Sequence, residues 1–599
     1  MSEGNYTYSL VVAAPRQLPR LWENRLEHAA IEDSTNLPAA ATLRYRDQKS
    51  RLLRDTGITI GTKLTASVRT GDQPAPVRLF TGEVVTIETE FDGTGTFTTI
   101  RALDLSHRLM RGRQVKSYVN TKASDIATEI ASKAKLPIGR IDPTKTVYEM
   151  VTQPNITDWE FLRMLAVDND AEVVMVDGKF SFRRPVRAAT APGTATPARQ
   201  SPFVVQMNEN LLAVRSTVTS VGQLSRVTVR GWDVQRRKPL VSAAPTVASD
   251  ELALSVTPRE VVKPFGKAAL LVADVPYRTD AEVKAVASAL AADVTSAFAE
   301  LEVGIRGNPR LRAGTPLTLE DVGPPFEGKY TTTASRHVFG PASFYETWLT
   351  VSGRQDRSSF GLASGASAPA RAARVPGLAI GIVTDTKAGY DRHPERRDQG
   401  WVKLRFPWLS DQYVTDWVRT VQLGGVGGGG VISPEVGDEV LVGFEQGLLD
   451  RPYVIGGLYN GVDRPSRHDL PLVNPADGTV NRRSLASRGG RSRGARGRRG
   501  NWLELLDGSS PQAPQGIRLT TQKGADTLVV HLDRAGTSVV VRSDGSVVIE
   551  AKKEVVVSGN GITLDAGTGP LKLSGRSVSV KGKTDVDIDA PMVRINSPL

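Results

Sequence analysis

The sequence contains no cysteine. That excludes a disulfide framework, a thiolate metal site and a cysteine nucleophile. Histidine is nearly as scarce. His28, His107, His337, His393, His468 and His531 are scattered, with no HExxH motif and no pair at i,i+4 spacing. No metal site and no cofactor is therefore expected. Aromatic residues form only 6% of the chain, and none lies between Ile517 and Ile595. A surface adhesin with ladders of aromatic residues along its exterior is disfavoured by that gap. No apolar run reaches the roughly eighteen residues a membrane-spanning helix needs. The opening MSEGNYTYSLVVAAPRQLPRLW lacks a basic stretch followed by a long apolar core and reads as a strand. Synthesis in the bacterial cytoplasm without a signal peptide is the expectation. The glycine run from Gly424 to Gly430 fits neither GxxxxGK[ST] nor GxGxxG between a strand and a helix. A close-packed barrel loop explains it better than a phosphate cradle.

What is present is ordinary for a globular protein: 40% hydrophobic and 23% charged residues in 599. That length exceeds one core and implies about three to five domains. The net charge of +12 is largely local. Arg482, Arg483, Arg488, Arg491, Arg493, Arg496, Arg498 and Arg499 share one Gly/Ser-rich segment. Contact with phosphates and a solvated collar are both open readings of it. No aromatic residue lies within it for base stacking, so nucleic acid is not an expected partner.

Taken in order, residues 1–110 alternate as strands and turns and read as a first β-barrel. Residues 111–200 form an α+β insert, in which Thr157 and Glu160 have capping-box spacing. Trp159, Leu162, Leu165 and Ala166 then share a helical face, and Asp177-Gly178 turns one strand into the next. Residues 201–355 return to β as a second barrel, with a helical insertion at about 280–299 opened by Thr279 and Glu282. Residues 356–374 are a Ser/Ala/Gly linker. Residues 375–460 hold five strand candidates and suit a small OB-like barrel. Trp401, Phe406, Trp408 and Trp417 are its expected core or intersubunit contacts. Residues 461–500 are a second linker, Arg/Gly-rich at its end.

Residues 501–599 are the most patterned part. Ten apolar pairs recur every seven to eleven residues: Ile517/Leu519, Leu528/Val530, Val539/Val541, Val547/Ile549, Val555/Val557, Ile562/Leu564, Leu571/Leu573, Val578/Val580, Val586/Ile588 and Val593/Ile595. Spacing of two puts both members of a pair on one face of a strand. Each strand carries one apolar stripe, and a single chain of such strands cannot enclose a core. Another copy of the same chain is the simplest partner.

This order resembles the VgrG-type spikes of type VI secretion systems and the baseplate hub-spikes of contractile phage tails. TDWEFLRMLAVDNDAEVVMVDGKFSFRRP is similar to the late-control-protein-D hub signature. QGWVKLRFPW with VGDEVLVGFEQGLLDRPYVIGGLYN is similar to the family's spike barrel, and the strand repeat to its needle. The resemblance implies a mainly β fold with helical insertions: two hub β-barrels, an OB-like barrel and an intertwined trimeric β-helix or β-prism. It implies a non-enzymatic homotrimer linking a hexameric inner tube to a membrane-puncturing needle. Baseplate proteins would surround it, a PAAR-type tip protein would cap its C-terminal end, and effector cargo would travel with it. The needle core would be built from Val539, Val541, Val547, Ile549, Val555, Val557, Ile562, Leu564, Leu571, Leu573, Val578, Val580, Val586, Ile588, Val593 and Ile595. With no lysozyme-sized insert after the small barrel, the resemblance points to a phage-tail-like injection particle, cytoplasmic or released. A type VI spike and a phage tail spike are the alternatives. Glu435, Asp438 and Glu439 fall in a structural turn of the family. A cell-wall hydrolase is the alternative from another class, and no catalytic motif supports it.

Overall fold

The computed structural model describes residues 8–35, 37–71, 73–234, 236–341, 344–354, 374–390, 394, 397–425, 427–465, 468, 470–488, 500–510, 512–523 and 526–595. Two compact units lie along the chain, Met1–Asp463 and Arg464–Leu599. Nearly all of the linker expected at 356–374 falls outside the described residues, as do residues 489–499 of the Arg-rich segment and His393.

The first unit is built around one ten-stranded sheet. It starts at Tyr8–Ala13 and passes through Lys63–Thr70, Gln73–Asp92, Gly95–Leu103, Leu37–Arg46 and Leu26–Ser34. It continues through Ala334–Gly340, Phe344–Val351 and Ala299–Arg306 and ends on Leu211–Val218. The two expected barrels are thus not separate sheets. Leu26–Ser34 pairs with Ala334–Gly340, with Ala29 opposite Phe339 and Ile31 opposite His337. The pairing satisfies backbone groups that each half would otherwise leave open at an edge. Two cores remain. One gathers Trp22, Leu43, Leu64, Phe80 and Ile100, and the other Phe298, Val303, Leu317, Tyr330 and Leu349.

The insert carries helix α1 (Ala123–Lys133) and helix α2 (Asp158–Asp168). Thr157 Oγ1 accepts from Glu160 N, and the Glu160 carboxylate accepts from Thr157 N, so the capping box forms. Trp159, Phe161, Leu162 and Leu165 are buried beneath it. Asp177 and Gly178 both have positive φ, 50° and 76°, as a two-residue type I′ hairpin turn requires. Helix α3 (Asp280–Ser296) begins with a second capping box at Thr279 and Glu282. It covers one face of a three-stranded sheet, burying Val283, Val286, Ala287 and Leu290 against Val227, Val229 and Leu240.

The small barrel uses strands Leu378–Asp385, Lys403–Arg405, Arg419–Thr420, Glu439–Phe444 and Pro452–Gly457. Bridges Val402 to Val418 and Arg405 to Val414 join its two edge strands and close it. Its core of Val383, Leu404, Phe406, Val440, Val442 and Val454 also takes in Met150, from the insert strand Val147–Ile156. Two arginines sit at this joint. Arg278 lies 3.5 Å from Glu445, and Arg451 lies 4.0 Å from Glu282 and 3.7 Å from Asp450. Burial, with Arg451 nearby, lowers the Arg278 guanidinium. Burial also works to lower Arg451, but Asp450, Glu282 and Glu445 outweigh it and hold that cation firmly charged. Arg451→Met leaves those carboxylates buried without their cation. It is expected to cost on the order of 3 kcal/mol, read as an earlier melting transition of the first unit. An unchanged melt would remove Arg451 from the forces that seat the barrel.

At the sheet seam His337 is buried, with Nδ1 3.0 Å from the Tyr345 hydroxyl and 3.1 Å from Thr347 Oγ1. Burial, reinforced by Arg312, pushes its imidazole down to about 3 from an ordinary 6.5. Between those values the unfolded chain holds a proton that the folded chain does not. The seam's contribution is complete above the unfolded value and drains away as pH falls towards the folded one. Asp33 and Asp168, pushed up to about 7 mainly by burial, act in the opposite sense. Comparison with His337→Gln isolates the histidine. Relative to that variant, the native chain should lose about 1.4 kcal/mol per pH unit below pH 6.5. Parallel stability curves from denaturant titrations at pH 7 and pH 4.5 would contradict this.

Candidate functional site

Among the described residues no group of three or more His, Asp or Glu is placed to hold a metal ion. No described helix is long and apolar enough to cross a membrane.

In the small barrel, Val402, Leu404 and Phe406 point inward at spacing two and are buried. Trp417 is also buried. Trp408 corrects the expected core. It would continue the inward row, but Pro407 ends the strand, and a turn closes with Leu409 N and Ser410 N both donating to Phe406 O. The indole swings out to 47% exposure and donates only from Nε1 to Ile380 O, at 2.9 Å. Trp401 is half-buried and lines a cavity with Arg278, Glu282 and Arg451.

In the second unit, strands Arg482–Arg488, Gly500–Asp507, Gln515–Lys523, Asp526–Asp533 and Ser538–Ser543 form an antiparallel meander. Residues 482–488, expected within a linker, are therefore a strand. Their pairing with Gly500–Asp507 aligns Leu485 opposite Leu503. The row then runs through Leu519, Val530 and Val541. A second row runs Leu505, Ile517, Leu532 and Val539. Residues directly opposite across a ladder share a face, so both rows stand on one side of the sheet. Every member is exposed, from 39% at Leu503 and Val530 to 69% at Val539.

The other side is covered at one end. There Leu506, Leu470 and Arg482 are buried, and Glu504 receives Arg518 and stands 3.2 Å from the imidazole of His468. Burial, assisted by Arg518 and Arg482, lowers the His468 imidazole despite the raising effect of Glu504. His531 stands opposite Arg518, on the side away from the apolar rows, with Nε2 3.1 Å from the Gln515 carbonyl.

Beyond Ser543 no described residue belongs to a strand of this chain. The remaining pairs, Val547/Ile549, Val555/Val557, Ile562/Leu564, Leu571/Leu573, Val578/Val580, Val586/Ile588 and Val593/Ile595, are all more than half exposed, from 52% at Val593 to 89% at Ile595. The expected needle core is thus entirely open in one chain. Sequence reading missed the two rows Leu485/Leu503 and Leu505 because neither repeats the later spacing. Their signal lay in alternation within NWLELLD.

A family model described as the type VI secretion system/phage-baseplate injector OB domain matches residues 379–459, the small barrel. One described as the Alg8 N-terminal domain matches residues 61–339. The type VI secretion system spike protein VgrG1c of Pseudomonas aeruginosa is 29% identical over 140 residues, 22% of this chain and 16% of that protein. VgrG5 of the same organism is 39% identical over 103 residues, 16% of this chain and 12% of that protein. The match therefore spans less than a fifth of the length of either relative. The solved Francisella PdpA-VgrG complex in its half-lidded form is similar in fold, with a TM-score of 0.52 at 9% identity. That likeness covers 90% of this chain and 88% of the other. Residues 379–459 thus match the injector OB domain, part of the chain is similar in sequence to type VI spike proteins, and the fold is similar to that of the solved VgrG-containing complex.

Proposed function

We propose that the chain is the hub and membrane-puncturing spike of a contractile injection machine, working as a homotrimer. The observation that carries this reading is the apolar face of the C-terminal meander, continued by seven exposed pairs down to Ile595. Three copies around one axis present identical stripes to one another and bury them without introducing a new surface. Each fully buried Val, Ile or Leu contributes roughly 1.5–3 kcal/mol, so the array becomes a stiff rod. The hub supports the same reading. The edge strands Tyr8–Ala13 and Leu211–Val218 each have one neighbour among the described residues. A closed heterologous ring pairs such edges and removes them as sites of aggregation.

In this reading the hub ring sits beneath the inner tube, with baseplate proteins around it. The needle carries a separate PAAR-type tip at its C-terminal end. The Francisella relative is seen with PdpA, and this chain is proposed likewise to carry a partner or effector protein. The preferred setting is a phage-tail-like injection particle; a type VI spike and a phage spike are the alternatives. The work is mechanical, and the chain has no enzymatic activity of its own.

Val580→Asp tests the axis. Val580 is 69% exposed in one chain, where a carboxylate costs within about 0.5 kcal/mol. In the rod it buries three carboxylates side by side. Light scattering should show loss of the trimer while the melting of the first unit is unchanged. A trimer of normal mass and stability would sink the axial model. For the mechanical role, purified full-length protein incubated with peptidoglycan should release no soluble fragments. Release of muropeptides at a rate proportional to protein would establish the hydrolase reading instead.

A further inference from the structure

The three-stranded sheet beneath α3 has a second face, opposite the helix. Its strands are Lys238–Pro245, Arg226–Asp233 and Ala269–Tyr277, in that order. Val227, Val229 and Leu240 point to α3 and are buried. Alternation sends Arg226, Arg230 and Trp232 to the opposite side. The register places Val241 across from Arg230, and Leu271 across from Thr228. Trp232 is 45% exposed, Val241 53% and Leu271 59%. This is an apolar centre on a sheet that already buries its other face.

Among the described residues its charge has one sign. Arg226 and Arg230 stand on the face itself, and neither has a carboxylate within ion-pair distance among the described residues. The nearest acid on the same strand, Asp233, alternates to the other side and is engaged by Arg236. At the Arg226 end the face opens into a cleft of about 500 Å³ that also holds Lys267 and, among the described residues, no acidic side chain. The free edge of the sheet is unsuited to strand addition, because Pro239 and Pro245 lack the N–H groups an added strand needs. The face itself is suited to a helix. Three strands about 4.8 Å apart span close to the ~10 Å width of a helix, and α3 already lies this way on the inner side.

We infer that the outer face of this sheet is a docking surface for an acidic amphipathic helix of a partner protein. The apolar side of that helix lies on Trp232, Val241 and Leu271, and its carboxylates meet Arg226, Arg230 and Lys267. This goes beyond the spike reading and does not depend on trimer formation or on the needle.

The test uses full-length protein and a fluorescein-labelled amphipathic helix of leucine and glutamate, followed by anisotropy at low salt. A matched helix of leucine and lysine is the control. The acidic helix should bind and the basic one should not. Arg226→Glu with Arg230→Glu should weaken binding by at least about tenfold, and Trp232→Ala should weaken it comparably. Rising salt should weaken binding to the native chain, a readout that stands even if the double variant fails to fold. Equal binding of both helices, or binding indifferent to the charge reversal and to salt, overturns the proposal. So does a change in oligomeric mass on Trp232→Ala, which would make the face a contact between copies. Displacement of the acidic helix by a single-stranded oligonucleotide that binds more tightly would also overturn it, in favour of nucleic acid.

Discussion

The apolar face of the C-terminal meander sets the terms for the rest of the molecule. Leu485, Leu503, Leu519, Val530 and Val541 form one continuous row across five strands, and a second row lies beside it. The hydrophobic effect makes such a face costly in water, in proportion to the apolar area left open. Nothing inside a five-stranded meander can fold back to cover it, because the other side already packs on Leu470 and the Glu504 ion cluster. Extending the pattern to Ile595 enlarges the exposed area. In the proposed trimer, three copies of this face cover one another.

The first unit solves a different problem, that of holding a narrow barrel firmly on a broad platform. The ten-stranded sheet is joined by continuous backbone pairing across the seam at Leu26–Ser34 and Ala334–Gly340. The small barrel is tied in by a shared core. Met150 belongs to the insert by sequence and to the barrel by packing. Around that plug, Arg278 and Arg451 are held between carboxylates from both sides, and Gln446 donates to the Ala273 carbonyl at 3.1 Å. Buried ion pairs of this kind fix geometry more than they add stability, since burial of each charge offsets much of the attraction. That suits a joint whose angle matters.

The local elements were legible from the sequence because they rest on short-range rules. The capping boxes at Thr157/Glu160 and Thr279/Glu282 formed as spaced, and Asp177-Gly178 made the hairpin turn that its φ preferences favour. Of the expected barrel residues, Phe406 stands in an inward row with Val402 and Leu404 that keeps the strand period. Trp408 did not, because Pro407 ended the strand one residue too soon for the period to hold. A third capping box, at Thr257 and Glu260, was passed over because the helix it opens spans only Pro258–Val262, too short for an apolar period to stand out. Residues 482–488 read as a linker because arginine, serine and glycine dominate their surroundings. Their strand character comes from the pairing with Gly500–Asp507, which composition does not report.

By itself the sequence determined the mainly β character and the apolar stripe of the C-terminal part. Each of these follows from the period of apolar residues and from turn chemistry, which act over a few residues. Only the tertiary structure decided that the two halves of the first unit share one sheet, that Met150 plugs the barrel, and that His337 is buried neutral at the seam. It also decided that Arg226 and Arg230 share a face with Trp232, Val241 and Leu271. These depend on which strands become neighbours across hundreds of residues. Strand neighbours are chosen by backbone hydrogen bonding that nearly every residue can supply, so the choice leaves little trace in side-chain pattern.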